Sequence, residues 1–71
     1  MQRFDEKLRE LRQQRGLTMR ELAERLGLAA HGYIGDLESG WRQPPVDLLV
    51  KIADFFGVSL DQLAHDNVEL E

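Results

Sequence analysis

The sequence contains no cysteine, few aromatic residues and no long apolar run. The lack of cysteine excludes disulfides and thiolate metal sites, and the lack of an apolar run of about 18 residues excludes a membrane span. Its two histidines, His31 and His65, do not have the spacing of metal ligands. We find no nucleophile with a histidine and an orienting acid, and no glycine-rich phosphate loop. The sequence therefore predicts no enzyme, no cofactor and no metal site.

The chain is short and acidic. Its 71 residues suit one domain, 1–71, with a core at about 4–65 and a frayed tail at 66–71. The first five residues do not resemble a signal peptide, so we expect a cytoplasmic location. The net charge of −4 combines +1 over residues 1–36 with −5 over residues 37–71. Because the excess of acidic residues lies in residues 37–71, the net charge of the chain does not exclude local contact with phosphate.

Apolar periodicity and turn signals predict an all-α fold of five helices. The helices are expected at residues 4–14, 18–26, 30–39, 46–56 and 59–65. Glycines that each precede an apolar residue are typical of helix ends, and they stand at Gly16, Gly27, Gly40 and Gly57. On the first helix, Phe4, Leu8 and Leu11 form the apolar face. Charged residues, including Lys7, are predicted to cover the outer side of this helix.

The segment 17–40 has the pattern of a helix-turn-helix motif. Thr18 and Glu21 form a capping box that starts the first of its helices, and Ser59 with Gln62 starts the last helix of the chain in the same way. Gly27 is suited to the turn. Ile34 and Leu37 are predicted to face inward on the second helix of the motif, so His31, Gly32, Gly35 and Asp36 would face outward. This outward face is where a recognition helix reads a DNA groove.

Three segments carry a family resemblance: LRELRQQRGLTMRELAERLG, YIGDLESGWRQPP and LLVKIADFFGVSLDQL. Together they resemble the phage repressor and Cro-like family, also called the xenobiotic-response-element family of bacterial regulators. The resemblance implies a compact five-helix repressor-like domain in which helices two and three form the helix-turn-helix. It further implies a dimer, a symmetric or pseudo-symmetric double-stranded DNA operator, and a role as a transcriptional repressor or activator.

The resemblance also assigns roles to individual residues. Arg12 and Glu38 match an ion pair between the first and third helices, and Arg42 matches a basic residue near the DNA backbone. The chain departs from the family at Met19, where glutamine is frequent. It also departs between Gly27 and Ile34, where the segment LAAHGY is one residue longer than the commonest pattern. The two alanines of this segment have no side chain that can cap the start of the third helix. The third helix, which would read the DNA groove, has no Lys or Arg. It therefore cannot make the common contact of an arginine with guanine.

The candidate DNA-contacting residues are Thr18, Arg20, Ala30, His31, Gly32, Tyr33, Gly35, Asp36, Arg42 and Gln43. Arg20 and Arg42 are expected to contact phosphate, whereas His31 either hydrogen-bonds a base edge or a phosphate or is a solvated side chain. Gly32 and Gly35 either permit the helix backbone to approach DNA closely or are weak helix formers at positions that tolerate them. Tyr33 is favoured as half-buried packing, and Asp36 would repel phosphate unless it accepts from a cytosine amine.

The fourth and fifth helices carry more apolar residues than one core contact requires, so part of this surface is predicted to face a second copy. The predicted dimer interface consists of Phe55, Val58, Leu60 and Leu63. Phe55 is either a rim of the core or an anchor in that interface. Trp41 could lie on the DNA backbone, serve a partner surface or pack on Pro44 and Pro45, and packing is favoured.

Two further hypotheses remain open. The same helical surface could belong to a protein-interaction module, such as an antitoxin-like or co-regulator subunit, because a fold hosts more than one function. The chain could also be the DNA-binding piece of a longer regulator whose sensing domain lies elsewhere. A salt-dependent, sequence-selective gel shift separates DNA binding from the protein-interaction hypothesis.

Overall fold

A computed structural model describes residues 3–65, and these residues form five helices joined by short turns. The helices are α1 (Phe4–Gln14), α2 (Met19–Arg25), α3 (Gly32–Glu38), α4 (Val46–Phe56) and α5 (Leu60–Ala64). The predicted all-α class and the order of the helices are confirmed, while the predicted tail, 66–71, lies outside the described residues. Within residues 3–65, no helix combines the length and the apolarity needed to cross a membrane.

The turns form where the sequence places glycine. Gly27 adopts a φ of +74° between α2 and α3, and Gly57 adopts +69° at the end of α4. This left-handed conformation is readily available only to glycine. After each turn the chain folds back through a hydrogen bond, from Leu28 N to Ala23 O at 2.8 Å and from Val58 N to Ala53 O at 3.0 Å. The predicted glycine-terminated helices are confirmed.

Both predicted capping boxes are present. Thr18 Oγ1 accepts from Glu21 N at 3.1 Å, and Thr18 N donates to Glu21 Oε1 at 2.8 Å. The backbone hydrogen bond from Thr18 holds the pKa of the Glu21 carboxyl below its ordinary value. Ser59 and Gln62 make the equivalent pair of bonds at 3.0 and 2.9 Å. These bonds fix the starts of α2 and α5.

The start of α3 differs from the other helix starts. No side chain caps it at His31, and the chain enters the helix through bonds from Tyr33 N to Ala30 O and from Ile34 N to His31 O. These bonds span three residues, as in a tighter 3₁₀ turn. The helix therefore begins at Gly32, two residues later than the periodicity predicts.

Apolar side chains from all five helices form the core. Its fully buried large members are Leu8, Leu22, Leu26, Ile34, Leu37, Ile52 and Leu63. Leu63 was predicted to lie in a dimer interface, and this assignment needs correction because its side chain has no exposed surface. Leu63 lies on the inward side of α5 and contributes to the stability of the single chain.

Lys7 also departs from its predicted position. Its side chain is 2% exposed, although the charge pattern of α1 predicts it on the outer side. Lys7 Nζ donates to Gln62 O at 2.6 Å and to His65 O at 2.7 Å, at the carboxyl end of α5. A cation is favourable at this end of a helix because the terminal carbonyls carry partial negative charge.

Other basic side chains also bind backbone carbonyls at the ends of helices. Arg15 Nη2 donates to Phe56 O at 2.9 Å and lies over the Phe56 ring. Lys51 Nζ donates to Leu26 O at 2.9 Å, just before the turn of the helix-turn-helix. Lys7, Arg15 and Lys51 therefore each place a positive charge at the carboxyl end of a helix, where it is stabilising.

Candidate nucleic-acid interface

The helices α2 and α3 meet through apolar side chains. Leu22 and Ala23 from α2 and Ile34 and Leu37 from α3 are buried, as the sequence predicts. The Met19 sulfur lies near Gly35 of α3, 3.7 Å from the position that a Cβ on this glycine would take. The residue that departs from the family pattern at the start of α2 thus packs against the middle of α3.

The helix α3 also has a face that is turned outward. His31 and Gly32 are exposed, while Gly35 and Asp36 are partly exposed. A Cβ on Gly32 would meet no atom within 4 Å, and one on Gly35 would make only an ordinary contact. Packing inside the chain therefore does not require glycine at either position, and the outer face of α3 is left with little side-chain bulk.

Arg42 lies against this outer face and forms a cluster with Tyr33 and Asp36, which we call the Arg42 cluster. Its guanidinium is 4.6 Å from the centre of the Tyr33 ring, and its Nη2 is 3.6 Å from Asp36 Oδ2. Its backbone N also donates to Asp36 O at 3.2 Å. Tyr33 is partly buried against the core, in line with the favoured packing interpretation. This cluster could not be predicted from the sequence, because it depends on the path of the loop after α3.

A shallow polar groove brings two of the predicted contacts together. It is lined by Arg20, Ala23, Glu24, Leu28, Ala29 and His31. Arg20 and His31 are both exposed and come from different elements of the helix-turn-helix. An anion at this groove would meet the Arg20 charge, with Glu24 opposing it. Among the described residues, no group of three His, Asp or Glu side chains could hold a metal ion.

The other predicted contacts lie around the same two helices. Thr18, Ala30 and Gln43 are exposed, and the Thr18 hydroxyl is also engaged in the capping box. Trp41 is 83% exposed, so the favoured interpretation that it packs on Pro44 and Pro45 is wrong. The loop after α3 therefore presents a large apolar side chain to the surroundings.

The ion pair expected between α1 and α3 is present. Arg12 Nε and Nη2 donate to the two carboxylate oxygens of Glu38 at 2.6 and 3.0 Å. The Glu38 side chain is fully buried, and its hydrogen bond raises the pKa of Arg12 above the ordinary value. Arg12 Nη1 also donates to Leu17 O at 2.9 Å. Arg9, which sequence reasoning did not connect to this pair, lies 3.5 Å from Glu38. The pair fixes the end of α3 relative to α1.

Apolar side chains are exposed on α4 and around α5. Of the predicted dimer residues, Leu60 is 43% exposed, and Phe55 and Val58 are partly buried at the edge of the core. The Phe55 ring stands edge-on to Phe56, with the ring centres 5.0 Å apart. Val46 and Val50 on α4 are also exposed, and sequence reasoning did not select them.

Comparison with known proteins agrees with this architecture. The helix-turn-helix family matches residues 8–63 of the chain. The chain is 41% identical over 60 residues to the uncharacterized HTH-type transcriptional regulator YobD of Bacillus subtilis (strain 168), a match that covers 84% of this chain and 53% of the relative. It is 33% identical over 64 residues to the cryptic phage CTXphi transcriptional repressor RstR of Vibrio cholerae, with 90% and 57% covered.

The chain spans about half the length of these relatives. The matched region contains the α2 and α3 pair with its glycine turn, the Arg12–Glu38 ion pair and the loop that carries Arg42. The sequence resemblance, the five-helix fold and the family match therefore agree, and the chain belongs to the phage repressor and Cro-like, or xenobiotic-response-element, family of helix-turn-helix proteins.

Proposed function

We propose that the protein is a sequence-specific regulator of transcription that binds double-stranded DNA in the cytoplasm. The observation that carries this proposal is the exposed outer face of α3, set against α2 in the arrangement that helix-turn-helix proteins use to enter the major groove. Family membership supports it, since relatives are named as transcriptional regulators and one as a transcriptional repressor. Such proteins are not enzymes, and we assign no catalytic role.

On this proposal, α3 enters the groove and the surrounding residues contact the backbone. Arg20 is exposed beside His31 and is assigned to phosphate, and His31 is assigned to a base edge or a phosphate. The remaining proposed contacts are Thr18, Ala30, Gly32, Tyr33, Gly35, Asp36, Arg42 and Gln43. The scarcity of side chains on α3 favours close approach of its backbone to DNA.

We further propose that the protein is a homodimeric repressor that reads a palindromic operator. Leu60 is exposed and Phe55 and Val58 are partly buried beside it, which supports a surface for a second copy, because burial of apolar area drives association. Leu63 has no part in this surface. Since the relatives extend well beyond the matched region, the chain would supply the operator-binding part of such a regulator.

Half-site spacing tests the dimer. Sequences selected from random duplex DNA should contain two half-sites about one helical turn, roughly 34 Å, apart. Inserting five base pairs between them turns one half-site to the opposite side of the duplex, so only one protomer can bind specifically. We expect affinity to fall toward that for unrelated DNA, measured by gel shift. The same insertion outside the site is the control, and unchanged affinity would contradict a symmetric dimer.

The salt dependence of binding tests the role of Arg20. Replacing Arg20 with Ala should weaken binding to all duplexes and lower the slope of log affinity against log salt by about 0.9 per protomer, because one phosphate contact is lost. Arg25→Ala is the matched control, since Arg25 lies on the same helix, is exposed, and has its charge close to Glu21. If both variants keep the wild-type slope, Arg20 does not contact phosphate.

A protein partner is the second candidate. The 83% exposure of Trp41 favours it, because tryptophan is enriched where proteins bind one another. In that case the protein would be an antitoxin-like or co-regulator subunit that uses the same helical surface. The absence of a salt-dependent, sequence-selective gel shift would support this candidate over DNA binding.

A further inference from the structure

The outer face of α3 offers very few groups that can recognise a base. Of the seven residues of α3, Ile34, Leu37 and Glu38 are buried. Gly32 and Gly35 have no side chain, which leaves Tyr33 and Asp36 as the residues of the helix whose polar side chains are not buried. Tyr33 is partly buried, and Arg42 covers its ring. Recognition by a side chain of α3 therefore falls mainly to Asp36, whose side chain is 43% exposed.

The chemistry of Asp36 limits what it can recognise. An ionised carboxylate only accepts hydrogen bonds. In the major groove the base-edge donors are the N4 amine of cytosine and the N6 amine of adenine, and carboxylates pair with the cytosine amine. A carboxylate near DNA is also repelled by phosphates, so Asp36 can serve in the groove only if a cation offsets its charge.

The Arg42 cluster supplies that cation. Arg42 is held against α3 by the Tyr33 ring at 4.6 Å and by its own backbone hydrogen bond to Asp36 O at 3.2 Å. In this position its Nη2 lies 3.6 Å from Asp36 Oδ2. At this distance the Arg42 charge offsets part of the Asp36 charge, and the carboxylate keeps acceptor sites for a base.

We infer that Asp36 recognises a cytosine in each half-site by accepting a hydrogen bond from its N4 amine, and that Arg42 is a positioning residue that holds and neutralises this carboxylate. This inference rests on the proposed DNA-binding function and adds the base that is read. It also gives Arg42 a role different from the phosphate contact that the family resemblance implies.

Variants of Asp36 test the base that is read. The dissociation constant is measured for the selected site and for sites in which one C·G pair at a time is replaced. Asp36→Ala should reduce the preference for one C·G pair per half-site by about fivefold, the low end for a base-edge contact. The same variant should bind unrelated duplex more tightly than wild type, because a negative charge is removed. Asp36→Asn should shift the preference at that pair toward adenine, which an amide recognises.

Arg42→Ala tests the positioning role. It should reduce the preference at the same base pair as Asp36→Ala, and in the Asp36→Ala background it should not reduce that preference further. Arg42→Lys keeps the charge and should restore part of the preference. Thermal unfolding of each variant shows that the fold is kept. A phosphate contact would give a different result, since Arg42→Ala would then weaken every duplex equally and leave the base preference intact.

Two outcomes separate this inference from the proposed function. If wild-type protein binds a selected operator and Asp36→Ala keeps every base preference, the inference is overturned and DNA binding stands. If wild-type protein shows no sequence-selective binding to duplex DNA, the proposed function is overturned and the inference with it.

Discussion

Arg12→Ala should lower the free energy of unfolding by about 3 to 5 kcal/mol, because it leaves the fully buried Glu38 carboxylate without its main partner. It also removes the hydrogen bond from Arg12 to Leu17 O, which holds the turn between α1 and α2. A small domain has only about 5 to 15 kcal/mol of stability, so much of the variant should be unfolded at moderate temperature. Urea and thermal denaturation followed by circular dichroism measure the effect.

Two other arginines calibrate this result. Arg25→Ala removes an exposed arginine, and its effect should be within about 0.5 kcal/mol. Arg9→Ala should have an intermediate effect, because Arg9 lies 3.5 Å from Glu38 but its side chain is 53% exposed and screened by water. If all three variants lose the same small amount of stability, Arg12 and Glu38 do not form a strong pair in solution.

Leu63→Ala should lower the free energy of unfolding by about 2 to 5 kcal/mol, because it leaves a cavity where a fully buried side chain packs. Leu60→Ala is the matched control on the same helix, since Leu60 is 43% exposed. Its effect on unfolding should be small. In the proposed dimer, however, Leu60→Ala should raise the dissociation constant of the two protomers, which sedimentation at several concentrations measures. A small loss of stability from Leu63→Ala would place Leu63 outside the core.

The helices were predictable because their boundaries are set locally. Thr18 and Ser59 begin α2 and α5 through bonds within four residues, and Gly27 and Gly57 end helices through their own backbone freedom. The boundary that was least well predicted belongs to α3, which spans Gly32–Glu38 and not 30–39. Its start lacks a capping side chain, so no local signal fixes it.

Features that depend on distant parts of the chain were not predictable. Lys7 follows the charge pattern of an exposed residue, but its long side chain reaches carbonyls 55 and 58 residues away. Leu63 belongs to a helix of five residues, which is too short for its apolar pattern to show which side is buried. In both cases the docking of α5 against α1 decides the environment of the side chain.

The candidate nucleic-acid interface likewise has a part that the sequence predicts and a part that it does not. The outer face of α3 follows from the inward positions of Ile34 and Leu37, so the sequence indicates which residues a groove would meet. The contacts of Arg42 with Tyr33 and Asp36 depend on how the loop after α3 turns back. The apolar periodicity of the sequence does not predict the path of this loop. It also does not predict that Trp41 is exposed.

The bonds from Lys7 to α5 have a consequence for anything attached to the protein. They bring the first turn of α1 within hydrogen-bonding distance of the backbone oxygen of His65, the last described residue. The two ends of the described chain therefore lie in one region of the surface, and the polypeptide forms an almost closed loop. We expect a circular permutant of residues 3–65, in which a linker joins residue 65 back to residue 3, to keep the path of the helices.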